Sequence, residues 1–336
     1  MKKIKFVVIG YGHIGKRHSE MIIRNKNSEL VAIVDIKEKK DLDLPSDIKF
    51  FNSIDSLFHS DINFDVVNIA TPNGLHYKHS IQSLKFRKHV VIEKPMALNS
   101  KDAENIIHES LKSQKNVFTV MQNRYSPPSK WIKKIIDDNI LGEIYMVQLN
   151  CFWNRDERYY TDDSWHGDKI LDGGTLFTQF SHFVDILYWL FGDINEIKSR
   201  FNSFNHEKLT DFEDSGIITF NINSGGFGSI NFTTSVWNKN FESSMTIIGQ
   251  NGTVKIGGQY MNEVEYCNIK NYNMPKLEKT RPGNDYGSYK GSAQNHDFVI
   301  DNVIQVLNNK DKIKTNALEG LKVVEIIERI YKSFKN

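Results

Sequence analysis

"KFVVIGYGHIG", residues 5–15, is the stretch on which the fold turns. A run of β-branched and aromatic residues stops at Gly10, and Gly10, Gly12 and Gly15 then follow in G-x-G-x-x-G spacing. Between a strand and a helix, each glycine has its own physical reason. Gly10 permits a tight turn, Gly12 lets the backbone approach a pyrophosphate, and Gly15 lets helix and strand pack closely. The anion would sit on the helix N-terminus, beside His13 and Ile14, where unpaired N–H groups and the helix dipole favour negative charge. Twenty residues beyond Gly15, a second apolar run ends at Asp35. A carboxylate there accepts hydrogen bonds from the adenosine ribose hydroxyls and repels a 2′-phosphate. Ile36, next along, adds no positive charge, so the pattern selects NAD over NADP.

Working outward, "KFVVIG" (5–10) is joined by "ELVAIVD" (29–35), "DVVNIAT" (65–71), "HVVIEKP" (89–95) and "NVFTVMQ" (116–122). None alternates with period two, as expected of parallel strands covered on both faces. Helix-like stretches at 13–26, 74–87 and 99–115 separate most of them. This alternation predicts an α/β Rossmann domain, a doubly wound parallel sheet, over residues 1–122. Ligands of such sheets bind outside the carboxyl ends of the strands. That edge gathers Thr71, Pro72, Asn73 and His76 from "ATPNGLH", and Glu93 and Lys94 from "EKP". Pro95 biases Lys94 towards extended backbone, and a lysine ending an apolar strand is costly unless something pairs with it. Gln122, closing the fifth run, completes this cofactor set on the Rossmann side.

Composition narrows the classes. At 336 residues the chain suits two domains. Lys plus Arg (43) nearly balance Asp plus Glu (41), so no overall field favours nucleic acid or an anionic membrane. Cys151 and Cys267 stand far apart, which fits a reducing compartment and argues against a disulfide scaffold or a zinc site. The apolar run at the start is too short for a signal peptide and ends in glycines. No stretch approaches the ~20 apolar residues that span a bilayer. A soluble cytoplasmic protein is expected, with no metal.

After "QNRYSPP" (122–128) the pattern changes, which sets a second domain at 123–336. A helix-like stretch (128–139) leads to "EIYMVQLNCFWN" (143–154), a long loop from Asn154 to Asp172, and an apolar helix. Strand-like runs follow at 195–205, 215–223, 227–237, 243–249 and 253–257, joined by hairpin signals such as "NSGG" and "QNGT". They predict an α+β domain with an open, mostly antiparallel sheet of five or six strands and helices on one face. Two helices, near 294–309 and 315–334, close the chain. Tyr159, Tyr160 and Trp165 argue for order in the long loop, and Trp165 is assigned to the cofactor. Arg155 and Arg158 are candidates for a diphosphate or carboxylate. Asn123 and Arg124 lie nearer the expected cleft. Asn295 and His296 open a helix whose N-terminus favours an anionic group.

The helix itself is unusual. In "GGTLFTQFSHFVD" (173–185), and on to Gly192, the only groups that carry charge near neutral pH are His182 and Asp185. Thr175, Thr178, His182 and Asp185 fall at steps of three, four and three, which places them on one α-helical face with Gln179 beside it. Either this is a buried helix with a few hydrogen-bonded polar groups, or the stripe faces a ligand. Neutral donors and acceptors suit a sugar ring, which offers many hydroxyls.

The order G-x-G-x-x-G, Asp35, "ATPNGLH", "EKP", Gly-Gly and a helical histidine followed by Asp185 resembles the Gfo/Idh/MocA oxidoreductase family along essentially the whole chain. Within it, "QNRY", "CFWNRDERYY", "SWHGDKILDGG", "QFSHFVD" and "SAQNH" are similar to UDP-N-acetylglucosaminuronate 3-dehydrogenases. The resemblance implies NAD-dependent oxidation of the sugar 3-hydroxyl of a UDP-sugar in bacterial surface polysaccharide synthesis. It also implies a homo-oligomer, dimer or tetramer, formed through the C-terminal sheet. It assigns Lys94 and His182 as catalytic, with the stripe facing the nicotinamide cleft opposite Lys94. Substrate contacts are carried over to Lys94, Asn123, Arg124, Arg155, Thr178, Gln179, His182 and His296. Many members place Asp where this chain has Thr178, so the proton relay of inositol-dehydrogenase-like members does not transfer, and a pocket lacking that carboxylate suits an anionic substrate. His182 is taken as the proton acceptor and Lys94 as a charged polarising group, with the reverse assignment open. The alternatives are a UDP-N-acetylglucosamine 3-dehydrogenase, another sugar or polyol dehydrogenase, an NAD-dependent glycosidase, and a non-catalytic NAD-sensing regulator.

Overall fold

A computed structural model of the chain describes residues 2–44, 47–161, 164–287 and 289–334, so residues 162 and 163 of the expected loop lie outside it. The chain divides into two compact units, residues 1–121 with 296–324 and residues 122–295 with 325–336.

The first unit is built on a six-stranded parallel sheet: β1 (Ile4–Ile9), β2 (Ser28–Val34), β3 (Lys49–Phe51), β4 (Val66–Ile69), β5 (His89–Ile92) and β6 (Val117–Thr119). Its order is β3-β2-β1-β4-β5-β6. Helices α1 (His13–Arg24), α2 (Ile54–Phe58), α3 (His76–Lys85) and α4 (Ser100–Ser113) connect the strands. Phe6, Val7 and Val8 are all fully buried, which explains why the sequence shows no alternation there. Strand β3 was not anticipated, because three residues are too few to carry a pattern. The order reverses between β1 and β4, and at such a switch point the strand ends open a crevice for a ligand.

The second unit contains α5 (Pro127–Asp137), β7 (Ile144–Phe152), α6 (Ser181–Phe191), β8 (Ile194–Asn202), β9 (Ser215–Ile222), β10 (Phe227–Thr233), β11 (Glu242–Gly249), β12 (Gly252–Gly257) and β13 (Glu263–Ile269), with a small ribbon of β14 (Gly283–Asp285) and β15 (Lys290–Ala293). Strands β7 to β13 form one sheet in the order β13-β12-β11-β7-β10-β9-β8. Only β7 and β10 run parallel; the other pairs are antiparallel. The sheet has seven strands rather than five or six, because "EVEYCNI" adds β13. Helix α6 packs on its inner face, with Phe180 against Phe232 and Trp153 edge-on to Phe183.

Two helices close the chain, α7 (His296–Leu307) and α8 (Ala317–Phe334). The sequence reading assigns everything after residue 122 to one domain, whereas residues 296–324 cluster with the Rossmann unit. The return is visible in Thr119 N, which donates to Thr315 O at 3.0 Å. Among the described residues, no helix is long and apolar enough to cross a membrane.

Candidate active site

The fingerprint turn fits a dinucleotide. Gly10 has φ +87°, and a Cβ there would lie 2.6 Å from Ala70 O, while one on Gly15 would lie 1.8 Å from Gly10 O. A Cβ on Gly12 would meet nothing within 4 Å, so this glycine leaves open approach from outside. Helix α1 then starts at His13 with Gly12 as N-cap and no side-chain cap. An uncapped helix N-terminus of this kind is where an anion is favoured. Asp35 is fixed by two backbone donors, Tyr11 N to Oδ2 at 2.6 Å and Lys37 N to Oδ1 at 2.9 Å. Each oxygen keeps a second lone pair for a ribose hydroxyl. Ile36 is 92% exposed beside it, and Ile14 is half-buried.

At the end of β4, Asn73 is buried and Thr71 Oγ1 lies 3.1 Å from His79 Nδ1. His76, expected at the cofactor, is instead a brace. It is fully buried, with Nδ1 2.7 Å from Pro95 O and Nε2 2.8 Å from Thr71 O, so both ring nitrogens are engaged by the backbone of two loops. Lys94 is half-buried and precedes a cis bond to Pro95, while Glu93 beside it is buried. His296 opens α7 in this same unit and is buried against Glu93 rather than presented to solvent.

In the second unit Thr175, Thr178, Gln179, His182 and Asp185 of the stripe each meet a different protein partner. Gly173 and Gly174 have φ +91° and +124°, and a Cβ on Gly174 would come 2.5 Å from Tyr331 Oη. That hydroxyl accepts from Leu176 N at 3.1 Å and donates to Glu213 at 2.7 Å. Residues Leu176–Phe180 then wind as a π-turn before α6 begins. The expected α-helical spacing is therefore interrupted between Thr178 and His182, and such turns re-aim side chains. Thr175 Oγ1 donates to Glu213 O, and Thr178 Oγ1 donates to Asp172 O at 2.9 Å and to the Asp172 carboxylate.

Two of the arginines expected at the substrate, Arg124 and Arg155, turn inward. Arg124 makes a buried bidentate pair with Asp185, at 2.8 Å from Nε and 2.5 Å from a terminal nitrogen. Arg155 is 2% exposed and donates to Gln179 Oε1, Asn154 O, Asn240 Oδ1 and Lys290 O, among Trp153, Tyr159 and Tyr289. Gln179 passes its own amide proton to Tyr159 Oη at 2.8 Å. Asn123 Oδ1 accepts from Ser292, and Trp165 stacks edge-on against His166. Arg158 pairs with Asp156 at the surface. Arg124, Arg155, Thr178 and Gln179 thus bind protein groups, which the sequence pattern alone did not reveal.

His182 has a partner that sequence reasoning missed. The Gln122 amide nitrogen, assigned to the cofactor from sequence, lies 3.1 Å from His182 Nε2. With the Gln122 amide in this orientation its N–H donates and Nε2 accepts. Asn295 in turn donates to Gln122 O and Ser126, which holds that turn. Asp172 and Tyr331 were also missed; both lie far in sequence from the groups they hold.

Comparisons with known proteins agree with this picture. The model of an oxidoreductase family with an NAD-binding Rossmann fold matches residues 4–122, and that of a GFO/IDH/MocA C-terminal domain matches residues 130–255. Among solved structures, the WlbA dehydrogenase from Bordetella pertussis, in complex with NADH and UDP-GlcNAcA, is 30% identical, with TM-score 0.88 over 100% of this chain and 97% of that one. The WlbA dehydrogenase from Chromobacterium violaceum, in the same kind of complex, is 29% identical, with TM-score 0.87 over 100% and 94%. Oxidoreductase P35 of Formosa agariphila is 24% identical over 83% of this chain and 90% of its own length.

Proposed function

We propose, on the premise that this chain belongs to the Gfo/Idh/MocA family of NAD-binding oxidoreductases, that it oxidises the 3-hydroxyl of a UDP-sugar. The substrate is UDP-N-acetylglucosaminuronate, and the setting is cytoplasmic synthesis of a bacterial surface polysaccharide. The observation that supports this substrate is likeness along the whole chain to two dehydrogenases crystallised with UDP-GlcNAcA. NAD, when bound, supplies the hydride acceptor. His182 takes the hydroxyl proton, and Lys94, charged, polarises the oxygen and stabilises developing alkoxide. The Gln122 contact marks Nε2 as the ring's acceptor nitrogen, and the substrate hydroxyl takes the place of the Gln122 amide there when it passes on its proton.

His182→Asn and Lys94→Met should each lose ~10²–10⁴-fold in turnover while NAD affinity holds. If His182→Asn keeps the basic limb of the pH profile and only Lys94→Met abolishes it, the lysine is the base. Calorimetry on the NAD-loaded protein decides the substrate. UDP-N-acetylglucosaminuronate should bind more tightly than UDP-N-acetylglucosamine, and far more tightly than myo-inositol or glucose. Tighter binding of an uncharged polyol contradicts the reading.

A homo-oligomer through the second sheet belongs to the same proposal. Phe227 and Ile248 both pair with Met146 across adjacent strands, and all three are exposed, giving an apolar row on the outer face. Light scattering should return a dimer or tetramer, and a monomer contradicts it.

A further inference from the structure

Helix α1, which opens at the dinucleotide turn, carries His18, and His18 is 1% exposed. Its Nδ1 lies 2.9 Å from the amide nitrogen of Asn68 in β4. With the Asn68 amide in this orientation its N–H donates, Nδ1 accepts and Nε2 directs the ring proton to Glu93. Nε2 lies 2.9 Å from Glu93 Oε1, at the end of β5. The other carboxylate oxygen, Oε2, accepts from the backbone N–H of Lys94 at 3.2 Å. His296 Nε2 also stands 3.7 Å from Oε1, with its ring edge-on to His18 at 5.7 Å. The proposed chemistry uses none of Asn68, His18 or Glu93.

We infer that Asn68, His18 and Glu93 form a positioning relay that fixes the backbone of Lys94 and ties it to the cofactor-binding helix. The inference rests on the catalytic role of Lys94 proposed above. Burial pushes the Glu93 carboxyl up, but the hydrogen bond from His18 and the electrostatics of neighbouring His18, His296 and Lys94 outweigh it and hold the group down to about 2. An ionised, buried carboxylate is stable only with well-placed donors. Here the donors come from α1 and from the Lys94 backbone itself, so the carboxylate can move little without losing one. Relative to a flexible lysine-bearing loop, that geometry shortens the search for a reactive pose.

His18, Glu93 and His296 also offer three ligand atoms within 4.8 Å of one another. A metal-bound imidazole donates its other N–H outward, whereas His18 Nδ1 accepts from Asn68. Lys94 and Arg17 add positive charge close enough to act on His296. Both features favour the relay over a cation.

The test compares His18→Gln with His18→Asn. Glutamine places its amide near the Nε2 position and can still donate to Glu93, while asparagine reaches Asn68 but falls short of Glu93. With NAD and the UDP-sugar substrate, His18→Asn should lose roughly ten- to hundredfold in kcat, the scale of a small misplacement of a reacting group. Its NAD affinity and substrate KM should stay within about threefold of wild type, a split that general destabilisation does not produce. His18→Gln should restore turnover towards wild type. Equal kcat for the two variants, or an asparagine defect confined to NAD affinity, overturns the relay. If Lys94→Met retains turnover, the underlying reading fails instead. Stoichiometric divalent metal in the wild type, lost in His18→Asn, makes the cluster a metal site and also overturns the relay.

Discussion

Asp35 combines two tasks in one side chain, and the second can be removed with little harm to the first. Its oxygens accept from Tyr11 N and Lys37 N, which shapes the turn, and its charge discriminates against a 2′-phosphate. Asp35→Asn keeps one acceptor for the turn and removes the charge. NAD affinity should fall roughly tenfold, the worth of a charge-assisted hydrogen bond, and NADP affinity should rise, as measured by fluorescence titration. An unchanged preference for NAD contradicts the ribose argument. Residues of this kind were legible in sequence because their work is local. Gly10, Gly12 and Gly15 answer to backbone geometry within one turn, and no distant partner is needed to read them. Arg124 and Arg155 were legible only as cations. What they bind lies far along the chain, at Asp185 and at Gln179 and Lys290, and only the fold brings those together.

The elements around the histidine helix depend on such pairs. Arg124, in the short 3₁₀ turn Gln122–Tyr125, clamps α6 through Asp185, and the two side chains are 4% and 0% exposed. Removing one partner strands the other charge in the interior. Arg124→Leu should therefore destabilise by about 3–5 kcal/mol, the range for breaking a buried pair. The double variant Arg124→Leu with Asp185→Leu should recover part of that loss in denaturant unfolding. Full additivity of the two single changes contradicts the pairing. The π-turn at Leu176–Phe180 was not legible, because threonine and phenylalanine spacings fit an α-helix equally well. Its cause lies outside the helix, in the two glycines and in Tyr331 from α8. Strand β13 was missed for a related reason: its burial pattern has little apolar alternation to read.

Over the whole molecule, several wholly or partly buried histidines make stability depend on pH. Burial lowers His79 to about 4, helped by His76 and Lys78; burial lowers His89 to about 4, helped by Lys115; and burial lowers His296 to about 3. Their unfolded-state values lie near 6.5. As pH falls below about 6.5, the unfolded chain therefore binds protons that the native state refuses, and stability is lost towards pH 4. Glu213 acts in the opposite sense. Burial raises it to about 7, so its contribution is present below its unfolded value, near 4.5, and is lost as pH rises towards 7. Three groups outweigh one, so the thermal unfolding midpoint should fall between pH 6.5 and 4; a flat or rising profile contradicts this. The proposed reaction moves a hydride from carbon 3 of the sugar to the nicotinamide, and an isotope label follows it. UDP-N-acetylglucosaminuronate carrying deuterium at carbon 3 is mixed with the NAD-loaded protein, and the nicotinamide and sugar are analysed by mass spectrometry. The account predicts deuterium in the reduced nicotinamide and a 3-keto UDP-sugar with no label. Reduced nicotinamide without deuterium, or no transfer from this substrate while an uncharged sugar is oxidised, would contradict it.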